Sequence, residues 1–186
     1  KMQASLPTVF KKGDIVGGRL RISARGHLTI FTEKKDLDQG YYVIGADIAE
    51  GLENGDYSCA QIVDHKTCEQ VAMWHGHCSP EEFAYILVDL AKYYNNALLA
   101  PESNFHGVGV VARIKLDIKY PRLYSYYLKN GVIKKYGWKT DAESKPIMIQ
   151  ELAQFIRDGH LRLNDYNTIE ELITYTYDKT GHTEAM

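Results

Sequence analysis

Two short apolar runs in this chain each end on a carboxylate and then a turn, and that pattern narrows the folds open to it. The first is Tyr41-Tyr42-Val43-Ile44-Gly45-Ala46-Asp47, followed by Ile48-Ala49-Glu50-Gly51. The second is Ala97-Leu98-Leu99-Ala100-Pro101-Glu102, followed by Ser103-Asn104. Runs of this length bounded by turn signals read as buried strands. An unpaired charge at the end of such a strand is costly to desolvate. Two such ends side by side in a sheet make a negative pocket suited to a hard divalent cation. Asp47 and Glu102 are therefore the candidate metal ligands, and the chemistry they imply is metal-dependent phosphodiester hydrolysis.

The segments between and around these runs set the topology. Tyr57–Asp64 and Gln70–Trp74 flank an Asp64-His65-Lys66-Thr67 turn and, with the first run, predict an antiparallel meander. Ser79-Pro80-Glu81-Glu82 supplies an N-cap, a proline at the first helical position and acids in the first turn. The apolar stripe Phe83, Ile86, Leu87, Leu90, Ala91 and Tyr94 then predicts a helix. A strand over 97–102, a helical stretch near 107–117 and a strand over Arg122–Tyr127 come next. Asn130-Gly131 places an inserted β-hairpin at 128–139. A third helix over 144–158, a short strand Leu161-Arg162-Leu163, and a segment over Thr168–Tyr177 that begins helical complete the order.

At the other end, residues 1–12 read as a linker, and Gly13, Gly17-Gly18 and Gly26 predict an N-terminal hairpin within 13–40. The expected fold class is α/β: a ribonuclease H-like mixed sheet over 13–186, an antiparallel meander plus parallel strands, with helices on both faces. In that layout the two acid-ended strands are neighbours, with Asp47 and Glu102 at the same end.

Net charge is −2, which argues against a uniformly basic nucleic-acid coat. Residues 1–40 nevertheless hold eight Lys/Arg against four Asp/Glu, a basic arm on an acidic body. Phosphate contacts and a solvated linker both suit such an arm. Three scattered cysteines suit a reducing compartment. His75-Gly76-His77-Cys78 reads as strand-end polar residues rather than zinc ligands, since His75 and His77 share a side that Cys78 does not. No apolar stretch approaches the roughly 18 residues of a membrane span.

Secondary site residues follow from position. Asp56 is a candidate accessory catalytic acid beside Asp47, or a turn residue after Asn54-Gly55. Glu50 is equally ambiguous, and Asp64 is expected to cap a turn at the far end of the sheet. Gly45 and Gly51 flank the first acid and would let a phosphate backbone approach closely. Asn104 and His106 lie between the second acid and a helix start, where they offer contacts to a phosphate. Lys129, Lys134 and Lys135, interleaved with Tyr136 and Trp138, suit a DNA-contacting wing, the alternative being an amphipathic edge hairpin.

The residues resemble a known family, the nuclease domain of the large terminase subunit of tailed phages. The matching pieces are Gly45–Gly51 with Gly55-Asp56-Tyr57-Ser58, Pro101-Glu102-Ser103-Asn104 with His106-Gly107, and Gly137-Trp138-Lys139-Thr140 before Lys145-Pro146. Asp158-Gly159-His160-Leu161 and Thr168–Leu172 continue the match in order. The resemblance implies an endonuclease that cuts concatemeric double-stranded DNA with Mg²⁺ or Mn²⁺ during genome packaging in the host cytoplasm. It also implies, as partners, a terminase ATPase domain on the same polypeptide, the portal and the small terminase subunit.

The family's first two acids map to Asp47 and Glu102. The third is expected beyond Met186, and Glu184 is a poor substitute because it precedes the expected position. No GxxxxGK[ST] phosphate loop occurs in these 186 residues. Alternative readings are another ribonuclease H-like nuclease, such as a junction resolvase, or a DNA-binding or portal-docking module without cleavage.

Overall fold

A computed structural model describes residues 11–34, 41–52, 54–128, 131–132, 134–177 and 183–185. Seven strands form the main sheet: β1 (Lys11–Val16), β2 (Arg19–Ile22), β3 (Leu28–Ile30), β4 (Tyr42–Asp47), β5 (Ser58–Asp64), β6 (Glu69–Gly76) and β7 (Leu98–Pro101). Their order across the sheet is β2-β1-β3-β6-β5-β4-β7. Every neighbouring pair is antiparallel except β4 and β7, which run parallel. The parallel pair needs a crossover, and helix α1 (Pro80–Tyr93) supplies it. The architecture is thus the mixed sheet expected from the sequence.

Alternation along the strands divides the sheet into a closed and an open face. On the closed face Tyr42, Ile44, Ala60, Ile62, Trp74 and Leu99 are buried against α1, whose Phe83, Leu87 and Leu90 are fully enclosed. Tyr42 meets Tyr94 edge-on at 5.2 Å and Trp74 meets Phe83 at 5.0 Å. The capping box written in Ser79-Pro80-Glu81-Glu82 forms: Glu82 N–H donates to Ser79 Oγ at 3.2 Å, and Ser79 N–H donates back to Glu82 Oε2 at 3.0 Å. Such a cap contributes about 1 kcal/mol to the helix. The Ser79 N–H and the Ser79 hydroxyl, which donates to Glu82 Oε2 at 2.9 Å, hold the Glu82 carboxyl below the usual carboxylate range.

The open face carries Gln61 and Met73 in mid-sheet, crossed by the connector that follows α3 (Ser144–Arg157) and leads into α4 (Tyr166–Thr174). Buried Gln70 organises that crossing. Its Oε1 accepts from the backbone N–H groups of Asn164 and Asp165, both at 2.7 Å, and its Nε2 donates to Gln61 Oε1 at 2.6 Å. Thr168 Oγ1 lies 3.8 Å from Met73 Sδ, so helices do pack on both faces.

Several local expectations differ from what is found. Lys11 and Lys12, read as the end of a linker, open β1; residues 1–10 lie outside the described residues. The expected N-terminal hairpin forms as β1–β2, and β3 joins it to β6, so this region adds three strands to the main sheet. The segment read as a strand over 161–163 makes a single bridge, Arg162 to Glu69. The second helical stretch divides into α2 (Gly107–Ala112) and a π-helical segment Arg113–Ile118, closed by Lys119 at φ 57°. After α4 the chain turns extended as β10 (Tyr175–Tyr177), paired with β11 (Thr183–Ala185). Asp64 caps its turn as expected, accepting from the N–H groups of Lys66 (2.9 Å) and Thr67 (3.1 Å).

Replacing Gln70 by leucine would strand two buried backbone N–H groups. Gln70→Leu is expected to lower unfolding free energy by about 2–4 kcal/mol in urea denaturation. An unchanged midpoint would show that the connector is not held by this side chain.

Candidate active site

Strand pairing decides where the two acids go. In the parallel register Ala46 stands opposite Pro101, and Glu102 N–H donates to Ala46 O at 2.8 Å. One residue further on, Asp47 and Glu102 therefore sit side by side at the same sheet end. Both project from the open face, since Ile44 and Leu99 point into the core. The bend after β4 is fixed by Ala49 N–H donating to the fully buried Ser58 Oγ at 3.1 Å, and by Ile48 N–H donating to Asp47 Oδ1 at 2.9 Å.

Glu102 is held from several directions. Asn104 Nδ2 donates to its Oε1 at 3.0 Å and to the Thr140 carbonyl at 2.6 Å, and the Thr140 side chain also bonds the carboxylate. The start of α2 presses on its backbone: a Cβ at Gly107 would fall 2.0 Å from Glu102 O. Burial pushes the Glu102 carboxyl above the ordinary value, and the adjacent Asp47 adds to that; the bonds from Thr140 and Asn104 pull the other way. Two neighbouring carboxylates, one of them disfavoured as an anion, suit a hard divalent cation, which would relieve both. Among the described residues no group of three or more His, Cys, Asp or Glu is arranged to hold a metal ion.

A cleft of about 290 Å³ contains both acids together with Glu50, Asp56, Asn104, Phe105 and His106. Asp56 is thus brought to the acids. His106 Nε2 lies 3.2 Å from Glu50 Oε1, so its ring faces a carboxylate across the cleft. The amide of Asn104 is directed to Glu102 and Thr140. A Cβ at Gly45 would meet nothing within 4 Å, so the face beside Asp47 is open. Gly51 answers a different need from phosphate approach: at φ +81° it packs on Cys78, where a Cβ would fall 2.4 Å from the carbonyl oxygen.

The hairpin forms from β8 (Ser125–Tyr127) and β9 (Lys134–Tyr136), so its first arm is the end of the segment read as a separate strand. It is an excursion from the edge beside β7. Leu123 bridges Leu99 before it, and Trp138 bridges Glu102 after it, with Ser103 N–H donating to Trp138 O at 2.6 Å. Gly137 makes the return possible at φ +78°, where a Cβ would fall 2.8 Å from Val111 Cγ2. The hairpin therefore rises from the acid end of the sheet. Lys134 and Lys135 are exposed on it, with Lys134 Nζ 5.8 Å from the ring centre of Tyr127 and 5.5 Å from that of Tyr136. Lys129 lies outside the described residues.

The supporting residues Ser58 and Thr140 escaped the sequence reading. Ser58 is an unremarkable strand serine, and Thr140 reaches Glu102 only because the hairpin folds back. Both lie within stretches that carry the family resemblance, Gly55-Asp56-Tyr57-Ser58 and Gly137-Trp138-Lys139-Thr140, but nothing local shows the contact each makes.

The raised Glu102 pKa has a sign that can be tested. An acid whose folded pKa exceeds its unfolded value costs stability once the unfolded state ionises. In metal-free urea titrations stability should fall as pH rises from the ordinary carboxylate value through the folded pKa of Glu102. Glu102→Gln should flatten that part of the profile, and a profile identical to the parent would contradict the assignment.

No protein-family model matches the sequence, and no curated protein matches it either. Solved structures do. The large terminase nuclease from thermophilic phage G20c with bound magnesium is 18% identical, with a TM-score of 0.65 over 88% of this chain and 79% of that one. The large terminase nuclease domain of Thermus phage P74-26 is 19% identical, with a TM-score of 0.61 over 87% and 76%. The P22 large terminase nuclease domain is 14% identical, with a TM-score of 0.53 over 83% and 78%. The G20c nuclease has also been solved with bound cobalt and with bound zinc. The chain has the fold of the large terminase nuclease domains.

Proposed function

We propose that this protein is a metal-dependent endonuclease that cleaves double-stranded DNA concatemers during phage genome packaging. The observation that carries this reading is the placement of Asp47 and Glu102 side by side on the open face, in a cleft able to admit a phosphate. The shared fold with nuclease domains solved with divalent metals supports it.

Asp47 and Glu102 would hold Mg²⁺ or Mn²⁺, with Asp56 as an accessory ligand. A bound ion pair supplies an activated water and stabilises charge on the leaving oxygen. Asn104 and Thr140 orient the Glu102 carboxylate, and His106, paired with Glu50, is placed to contact a phosphate or orient a water. The hairpin lysines Lys129, Lys134 and Lys135 would engage phosphates flanking the cut. The setting that goes with this role is the host cytoplasm, with a terminase ATPase domain, the portal and the small terminase subunit as partners. Among the described residues no helix is long and apolar enough to cross a membrane.

A second reading, a DNA-binding or portal-docking module without cleavage, is favoured by one observation: the described residues offer two adjacent acids and no larger metal-binding group. Plasmid nicking separates the two. In Mn²⁺ the protein should relax supercoiled DNA, chelation with EDTA should stop it, and Asp47→Ala should lower the rate at least about 100-fold. Cleavage retained by Asp47→Ala sinks the nuclease assignment, whereas no cleavage by the parent protein favours the binding module.

A further inference from the structure

The open face carries a second cleft, of about 510 Å³, over strands β1, β3 and β6. Lys12, Arg25, His27, His75, Tyr166 and Asn167 line it. Register ties it to the acids. Asp47 stands opposite Cys59, Cys59 opposite His75, and His75 N–H donates to His27 O at 3.1 Å. The side chains of Asp47, Cys59 and His75 form one row on one face, so His75 lies two strands, roughly 10 Å, from Asp47. The join between the clefts is aromatic. Asp56 belongs to the acid cleft, and the next residue, Tyr57, stacks on His75 with ring centres 4.4 Å apart and planes at 22°. His77 meets the same ring at 3.8 Å. Tyr57 remains 52% exposed, so the platform presents aromatic surface to solvent between the two clefts.

Charge in the second cleft is uneven. Among the described residues no carboxylate forms an ion pair with Lys12 or Arg25. The carboxylate within the cleft, Asp165, is turned onto its own helix, its Oδ2 accepting from Thr168 N–H at 2.7 Å and Oγ1 at 2.9 Å. Asp14, nearby, accepts from His27 N–H at 2.9 Å. The two cations are therefore available to an anionic ligand. Cations along a groove, with an aromatic face at its entrance, are the elements that bind an unpaired nucleic-acid strand, the bases stacking while the phosphates meet the charges.

We propose that this second cleft is a subsite for an unpaired DNA strand, which leaves the acid cleft, stacks a base on Tyr57 and lays its phosphates along Lys12 and Arg25. The proposal rests on the nuclease reading only for what happens at the other end of the strand. Binding itself needs no metal and no cleavage, so the two can fail separately.

The test is fluorescence anisotropy in EDTA with a labelled 15-nucleotide single strand and the matching blunt duplex. The single strand should bind at least about threefold tighter than the duplex. Tyr57→Ala should weaken single-strand binding by about 5- to 100-fold, and Tyr57→Trp should restore it. Lys12→Gln with Arg25→Gln should lower affinity and reduce the salt slope by about 1.4, the value for two phosphate contacts on a single strand. Photocrosslinking of the unsubstituted protein to a 5-iodouracil oligonucleotide, mapped by mass spectrometry, should label Tyr57 or His75. Preference for the duplex, unaltered affinity in Tyr57→Ala, an unchanged salt slope, or crosslinks confined to residues 125–136 would each overturn the proposal. None of these results depends on whether Asp47→Ala abolishes nicking.

Discussion

The parallel pairing of β4 with β7 is the constraint on which the site depends. Among the described residues it is the one parallel pair of strands in the seven-stranded sheet, and it sets two chain segments some fifty residues apart in register to within one residue. A slip by a single position would turn one acid into the core, because side chains alternate faces. Ile44 and Leu99 resist such a slip, since each is fully buried on the closed face and packed into the core there. Core packing on the closed face thus aligns carboxylates on the open one.

That division of labour explains the uneven burial of the molecule. The closed face is apolar and sealed by α1, while the open face is lined with Gly45, Asp47, Cys59, Gln61 and His75. Under the connector the polar groups of the open face are satisfied internally, as Gln70 shows with the backbone of Asn164 and Asp165. At the acid end they are left facing a cleft. Burial also raises the Cys59 thiol to about 12, helped by Glu171 and Asp47, which keeps a neutral side chain between the acids and His75. The hairpin and the β1–β3 extension lie at opposite sides of this face, one beyond β7 and the other beyond β6, and each carries exposed cations.

Much of this was legible in the residues themselves. The capping box, the helical stripe on α1 and the two acid-ended runs are local signals, and each formed where periodicity put it. Strand neighbours are a different matter. Alternation in Leu28-Thr29-Ile30 announces a strand but not that it pairs with β6. Likewise Asn130-Gly131 located a hairpin turn without revealing that residues on either side of the excursion return to β7. Leu161-Arg162-Leu163 alternates like a strand, yet it makes a single bridge, with Gln70 N–H donating to Arg162 O at 2.9 Å and Arg162 N–H donating to Cys68 O at 3.0 Å. At the site, Asp47, Glu102, Asp56, Asn104 and His106 were readable from position, whereas the links of Asn104 to Thr140 and of His106 to Glu50 are tertiary and had no sequence signature. The alignment of Tyr57 with His75 is of the same kind, a product of the β5–β6 register.

The central claim is that Asp47 and Glu102 share a divalent cation at the end of the β4–β7 pair. Anomalous diffraction from crystals soaked in Mn²⁺ reads this directly. The account predicts a manganese peak in contact with both carboxylates, lost in Asp47→Ala. A protein that diffracts equally well with no peak there, or with manganese bound only elsewhere, would contradict it.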